Sequence, residues 1–464
     1  MGCNRKPSSQ TLSKSSVSAE LHRFVAEKKT QAIFAAKMEG KEMLPEYKAL
    51  FAAAERIDDR AVNKIFEELA KRSPHFEGKE PRDERLHGIQ WEAVKEVWGA
   101  VDCLASEEKY PVAFGREIID SIPPGSIYFG GSDPGRWVIT ALQKSHVKAD
   151  PFFTLTQNAL ADGKYLEYLN SMYGHRIYVP SNDDSQHGFQ EYMADAQARI
   201  IHDQQFSNEA RQVKPGEDVN LDQNTGRVQI SGQIAVMSIN ALLAKIVFDK
   251  NPDREFFVEE SFPLDWMYSH LEPHGLIIKI NRQPLVELFE EIILKDHAFW
   301  TNYVAPAIGD WVNYDTSVKE VCEFAEKVYH RHNFTGFQGD PEFVRGESPK
   351  WLSKLRSSIG GIYLWRLGMS PSGGIVPKES AVKNQTEHRR MLREADFAFK
   401  QALAICPESP EVIFRYVNFL LTQQRLTDAI LIAETAVAIN NKKAIGDQFD
   451  GLLKQLKAYQ KSKP

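Results

Sequence analysis

Four residues near the C-terminus constrain the chain most. Ala395, Phe399, Ala402 and Pro407 follow one another at spacings of 4, 3 and 5. Spacings of 3 and 4 put the first three on one face of a helix, and the proline ends it. Adding 34 to those three positions gives Ala429, Ala433 and Ala436. A stripe of small residues therefore recurs, and small side chains let paired helices approach closely. Between the two stripes, Pro410 to Thr422 supplies a helix with Ile413, Tyr416 and Leu420 as its packing face. Upstream, Ile359, Gly360 and Tyr363 fit the first helix of the earlier pair. An insertion bearing Pro, Gly and Ser, about 368–390, separates that helix from its partner.

A helix pair repeating every 34 residues is the tetratricopeptide pattern. Residues 351–464 are therefore expected to form a tetratricopeptide-type helical domain, a module that presents a concave face to a protein partner. At 464 residues there is room for two or three domains. Hydrophobic content of 42% and charged content of 26% are ordinary for a globular chain. The net charge of -6 argues against a broad nucleic-acid-binding face. No run approaches the roughly 18 apolar residues of a spanning helix.

The cysteines are Cys3, Cys103, Cys322 and Cys406, with no C-x-x-C pair, so no zinc or redox motif is visible. Cys3 admits three readings. It belongs to an ordinary polar tail over residues 1–17, or it is the lipid anchor of a bacterial lipoprotein whose apolar signal lies upstream, or it marks a myristoyl/palmitoyl start. For the last, Lys6 stands where Ser or Thr is wanted.

Residues 18–109 read as a helical region. Leu21, Phe24, Val25, Ile33 and Phe34 recur at helical spacing, a second stretch runs from Tyr47 to Lys71, and another from Ile89 to Ala105. The texture then changes. Ser126–Phe129, Phe152–Thr156 and Arg176–Pro180 read as strands, each followed by a polar loop and a helix. Glu255–Glu259 and Gly275–Ile280 add two more strands. Strand–helix alternation predicts a parallel Rossmann-like sheet over 110–283. Residues 284–350 would form a helical connector. The expected class is α/β plus all-α.

In a parallel sheet, ligands sit beyond the carboxyl ends of the strands. The first such loop offers Gly130, Gly131, Ser132, Asp133 and Arg136, the second Gln157, Asn158 and Asp162, and the third Asp183. Glycines permit close backbone approach, and Arg136 could pair with a carboxylate or phosphate. Asp133 could equally cap the helix that opens at Pro134. Asp183, Asp184 and His187 could ligate a divalent cation, but they read as well as a solvated turn and N-cap. G-G-S-D-P-G-R is neither a dinucleotide nor a Walker loop, and neither metal nor cofactor is expected.

I-P-P-G-S-I-Y-F-G-G-S-D-P-G-R-W and F-F-T-L-T-Q-N-A-L-A-D-G, with the stretches 232–262 and 273–281, carry a resemblance. They look like the soluble region of bacterial protein O-mannosyltransferase-like glycosyltransferases, typical of Verrucomicrobia and related phyla, which often end in tetratricopeptide repeats. The likeness covers roughly 110–440. In that family sugar transfer is assigned to a multi-spanning membrane portion, and these residues contain none. The resemblance thus implies a non-catalytic module on the periplasmic side of the cell envelope, held to the membrane only through Cys3, with a cytoplasmic location as the alternative. It would bind a small polar or glycan-related ligand, and a protein through its repeats. Two rivals stand beside it: a glycosyl-transfer or hydrolase enzyme using Asp133, Arg136, Asn158 and Asp162, and a purely structural scaffold.

Overall fold

The computed structural model describes residues 14–73, 83–106, 109–131, 134–209, 211–214, 216–221, 228–370, 382, 384–440 and 445–462. The chain divides into two compact units, Met1–Arg254 and Glu255–Pro464. The division falls before the fourth expected strand.

The first unit begins with α1 (Lys14–Met38), α2 (Pro45–Ala54), α3 (Asp59–Arg72), α4 (Ile89–Leu104) and α5 (Lys109–Ser121). Leu21, Phe24, Val25, Lys28, Ala32 and Ala35 form the buried face of α1. Ile33 and Phe34, expected on that face, are exposed. The stretch read as one helix over Tyr47–Lys71 is two. Ile57 takes a left-handed φ of 52°, and the Asp58 side chain caps α3 by accepting from the Ala61 N–H.

Next come β1 (Ile127–Gly130), α6 (Pro134–Leu142), β2 (Phe153–Thr156), α7 (Gly163–Tyr173) and α8 (Asn182–Gln205). A hairpin, β3 (Asp218–Leu221) and β4 (Val228–Ser231), leads into α9 (Gln233–Lys250). β1 and β2 pair in parallel, with Gly130 opposite Thr156, and every residue of both is buried. Strands buried along their whole length suit a pair covered on both faces. α6 is the covering helix, buried from Gly135 to Leu142. It fits against glycines: a Cβ on Gly99 of α4 would stand 2.4 Å from the Trp137 ring, and one on Gly115 of α5 2.6 Å from Val138 Cγ1.

The third expected strand, Arg176–Pro180, is not part of a sheet. Asn251 explains this. The Tyr178 N–H donates to Asn251 Oδ1 at 2.8 Å, and Asn251 Nδ2 donates back to the Tyr178 carbonyl at 3.1 Å. One side-chain amide takes the place of a neighbouring strand.

The second unit holds β5 (Phe256–Val258), β6 (Leu271–His274) and β7 (Ile277–Ile280). Both β5 and β6 pair with β7 antiparallel. Gly275, at φ 63°, makes the two-residue turn between β6 and β7, and such a turn forces antiparallel pairing. The expectation of a parallel Rossmann-like sheet is thereby corrected: the protein is mainly helical, with few strands and mixed strand directions.

Helices make up the rest of this unit: α10 (Glu290–Ile308), α11 (Val318–Ala325), α12 (Pro341–Arg345), α13 (Ser348–Arg366), α14 (Gln385–Ile405), α15 (Pro410–Thr422), α16 (Leu426–Asn440) and α17 (Gly446–Ser462). α13 and α14 run antiparallel, because Arg356 bonds Gln401 while Gly360, one turn on, abuts Phe399 and Ala398. Asp296 of α10 is buried against this pair, accepting from Arg356 at 2.9 Å and from the Tyr363 hydroxyl at 2.8 Å. Ala429, Ala433 and Ala436 are buried on α16. Among the described residues no helix is long and apolar enough to cross a membrane.

Candidate functional site

The carboxyl ends of β1 and β2 lie side by side, as their register requires. Gly130 is glycine because α6 starts so close: a Cβ there would stand 2.9 Å from the Gly135 carbonyl oxygen. The Tyr128 hydroxyl donates to that same oxygen at 2.9 Å. Close approach was expected here, but the approaching group is the protein's own helix. Gly131 is buried beside it, while Ser132 and Asp133 lie outside the described residues, as does Cys3.

Arg136 turns away from the strand ends into a buried ionic cluster. Its guanidinium lies 2.8 Å from Glu96 Oε1 and 3.1 Å from Glu92 Oε2, both on α4. On its other sides it stacks over Trp137 and Tyr165. Glu96 also meets Lys28 Nζ at 2.5 Å, His146 Nδ1 at 3.1 Å and the Tyr168 hydroxyl at 2.6 Å. Lys28 and Arg136, with Lys95 on Glu92 at 2.5 Å from the rim, thus answer Glu92 and Glu96, joining α1, α4, α6 and α7.

Burial dominates the titration of these groups. It pushes the Glu96 carboxyl up, but His146, Lys28 and Arg136 more than reverse this and hold it well below the usual carboxylate range. Burial takes the His146 imidazole down to about 4, against the pull of Glu96. At neutral pH His146 is therefore uncharged, and the two cations hold Glu96 ionised. Burial also lowers Lys28 and raises Tyr168. A carboxylate, an imidazole, an amine and a phenol in contact could relay protons. Lys28, Glu96 and His146 are at most 1% exposed, however, so as folded the cluster ties helices together rather than meeting a substrate.

Gln157 is the predicted residue that the structure leaves unexplained. It follows β2, is 0% exposed, and neither amide atom has a hydrogen-bond partner. Thr156 Oγ1 beside it is in the same condition, although its backbone N–H donates to the Tyr165 hydroxyl at 2.8 Å. Asn158 contributes its carbonyl, which accepts from Asn240 Nδ2 at 2.9 Å, and Asn240 Oδ1 accepts from the Ala161 N–H at 2.6 Å. Asn240, fully buried on α9, thus pins the loop after β2. Asp162 caps α7 through the Lys164 N–H at 2.8 Å, with His87 Nε2 3.9 Å away.

Asp183 sits exposed in the first turn of α8, where Ser181 and Asp184 form a capping box. The solvated-turn reading describes it. Among the described residues no group of three or more His, Cys, Asp or Glu is placed to hold a metal ion.

Reasoning from sequence brought Gly130, Gly131, Gln157 and Asn158 to one place, and missed Lys28, Glu92, Glu96, His146 and Asn240. Lys28 left a signal, since it interrupts the apolar face of α1 at helical spacing. No protein-family model, no curated protein and no solved structure matches the chain.

Proposed function

We propose that the chain is a non-catalytic binding protein of the cell envelope, related to the soluble region of protein O-mannosyltransferase-like glycosyltransferases. Its first unit would bind a small polar, glycan-related ligand beyond β1 and β2, and its second unit a protein. The observation that carries the ligand half is Gln157, which is 0% exposed, so a ligand reaches it only when the loop after β2 opens. A buried amide with neither end bonded costs roughly 1–3 kcal/mol, and a hydroxyl-rich ligand supplies both donors and acceptors. The charged residues there are already engaged, Arg136 by Glu96 and Asp162 by the start of α7, which favours binding over catalysis.

The partner half rests on helix pairs of tetratricopeptide type. Gly360 meeting Phe399, and alanines buried on α16 at the repeat positions, support that reading.

The test is thermal shift with a panel of mono- and disaccharides on the wild type and Gln157→Leu. A saturable rise in Tm that disappears in the variant is expected. If no saccharide moves the wild type while Gln157→Leu melts higher, the ligand reading fails. For the partner half, crosslinking in the native host should repeatedly join one protein to α15–α17, and its absence would count against the repeats as a docking module.

A further inference from the structure

At the amino-terminal end of β1, remote from Gly130, lies a shallow cavity of about 640 Å³, wide open to solvent and lined by residues 174–178 and 250–254. Its charged lining is lopsided. Arg176, Lys250 and Arg254 face it together with His175, and Asp253 is the acidic residue among them. The formal excess is two positive charges, on a chain whose net charge is -6.

Two of these cations are built into the wall. Arg254 donates to the carbonyls of Gly125 and Arg176, each at 3.2 Å, and its guanidinium lies 5.4 Å from the Phe153 ring centre. Arg176 stacks on the same ring at 5.1 Å and reaches the carbonyls of Lys148 and Met172. Backbone carbonyls fix these groups in place without cancelling their charge, and the buried Nε of Arg176 has no partner. Neither the Lys250 nor the His175 side chain makes a hydrogen bond or ion pair with a described residue.

Helix ends explain part of this charge. α7 and α9 both end at the cavity, and helix carboxyl ends attract cations through roughly half an elementary charge each. Arg176 answers the end of α7 through Met172. Lys250 touches no carbonyl. Asp184 feels Lys250 electrostatically but is already bonded by the Tyr178 hydroxyl and by Ser181.

We propose that this cavity binds the phosphate group of a small phosphorylated molecule, with Arg176 and Arg254 as the fixed wall and Lys250 and His175 as donors that close on it. A phosphate monoester carries about −1.5 to −2 charges at neutral pH, which matches the excess, whereas a single carboxylate would leave half of it unanswered. The cavity is also of a size that admits a small molecule. This site is independent of the one proposed at Gln157.

The experiment is calorimetric titration of the full chain with glucose 6-phosphate, alongside glucose and citrate. Saturable binding of the phosphate ester, absent for glucose, is expected. It should weaken by about tenfold or more in Lys250→Glu, as when one member of a close charge pair is reversed. Lys245→Glu, on the same helix but paired with Asp249 outside the cavity, should bind like the wild type. His175→Glu is the second variant should Lys250→Glu melt early. No saturable binding of the ester overturns the proposal. So does an equal loss in the Lys245 and Lys250 variants, which would mean diffuse charge attraction, or citrate binding as tightly as the ester, which would mean a carboxylate site.

Discussion

At the scale of single residues, the first unit depends on Glu96. Removing its charge would strand Lys28 and Arg136 in the interior, so Glu96→Gln should cost roughly 3–5 kcal/mol in a urea titration. Lys28→Met should cost clearly less, because Arg136 and the Tyr168 hydroxyl still hold Glu96. Equal losses would mean that the cluster does not centre on the carboxylate. His146 sets a pH window. Above about pH 6.5 it is neutral in the folded and unfolded chains alike. Between pH 6.5 and about 4 the unfolded chain takes up a proton that the folded one refuses, so stability falls on acidification. The loss is at most roughly 3 kcal/mol from this group. His146→Gln should flatten the urea midpoint across that window, and an unchanged slope would assign it elsewhere. Little of this was legible in the sequence. Glu92 and Glu96 fall on a helix buried nearly all round, where no polar face exists to contrast with an apolar one. Lys95, which pairs with Glu92, is three residues on, but the buried partner Arg136 stands 40 or more positions away in the chain.

Among the elements, what was legible is what rests on local chemistry. The helix periods, the apolar runs of β1, β2, β5 and β7, and the alanine stripes of α14 and α16 all depend on neighbours within a turn or two. Membership of a sheet does not, because for residues 176–180 it is decided by Asn251, 73 positions from the Tyr178 backbone it bonds. Close packing gives a graded prediction. At Gly360 an added Cβ would stand 3.0 Å from Phe399 Cε1, a contact that small shifts can relieve. Alanine also gains about 1 kcal/mol of helix propensity over glycine. Gly360→Ala should therefore be close to neutral, while Gly360→Leu overpacks the α13–α14 pair by roughly 1–3 kcal/mol. Gly99→Ala should behave differently, because its Cβ meets the Trp137 ring at 2.4 Å inside a buried crossing. Thermal melts of the three variants would rank them, and a Gly99→Ala protein as stable as Gly360→Ala would contradict the packing described for α6.

For the whole molecule, the sequence pointed to a helical start, strands in the middle and a helical end, and the two compact units divide after Arg254, within the stretch read as strands. The last strand runs on to Ile280, so the change from strand to helix falls later than that division. The proposed envelope attachment through Cys3 has its own test: Cys3→Ser should move the protein from the particulate to the soluble fraction of its native host, and an unmoved protein would argue against a lipid there. The pairing of Asn251 with Tyr178 has a consequence at this scale too. An extended segment with open backbone groups is a template on which a second chain can add a strand. Asn251 covers the N–H and the carbonyl that would start such pairing. Asn251→Ala should leave the helices intact by circular dichroism yet make concentrated solutions scatter light on standing, as copies begin to associate along residues 176–180. One amide, distant in sequence from the backbone it covers, would then be what keeps this protein dispersed.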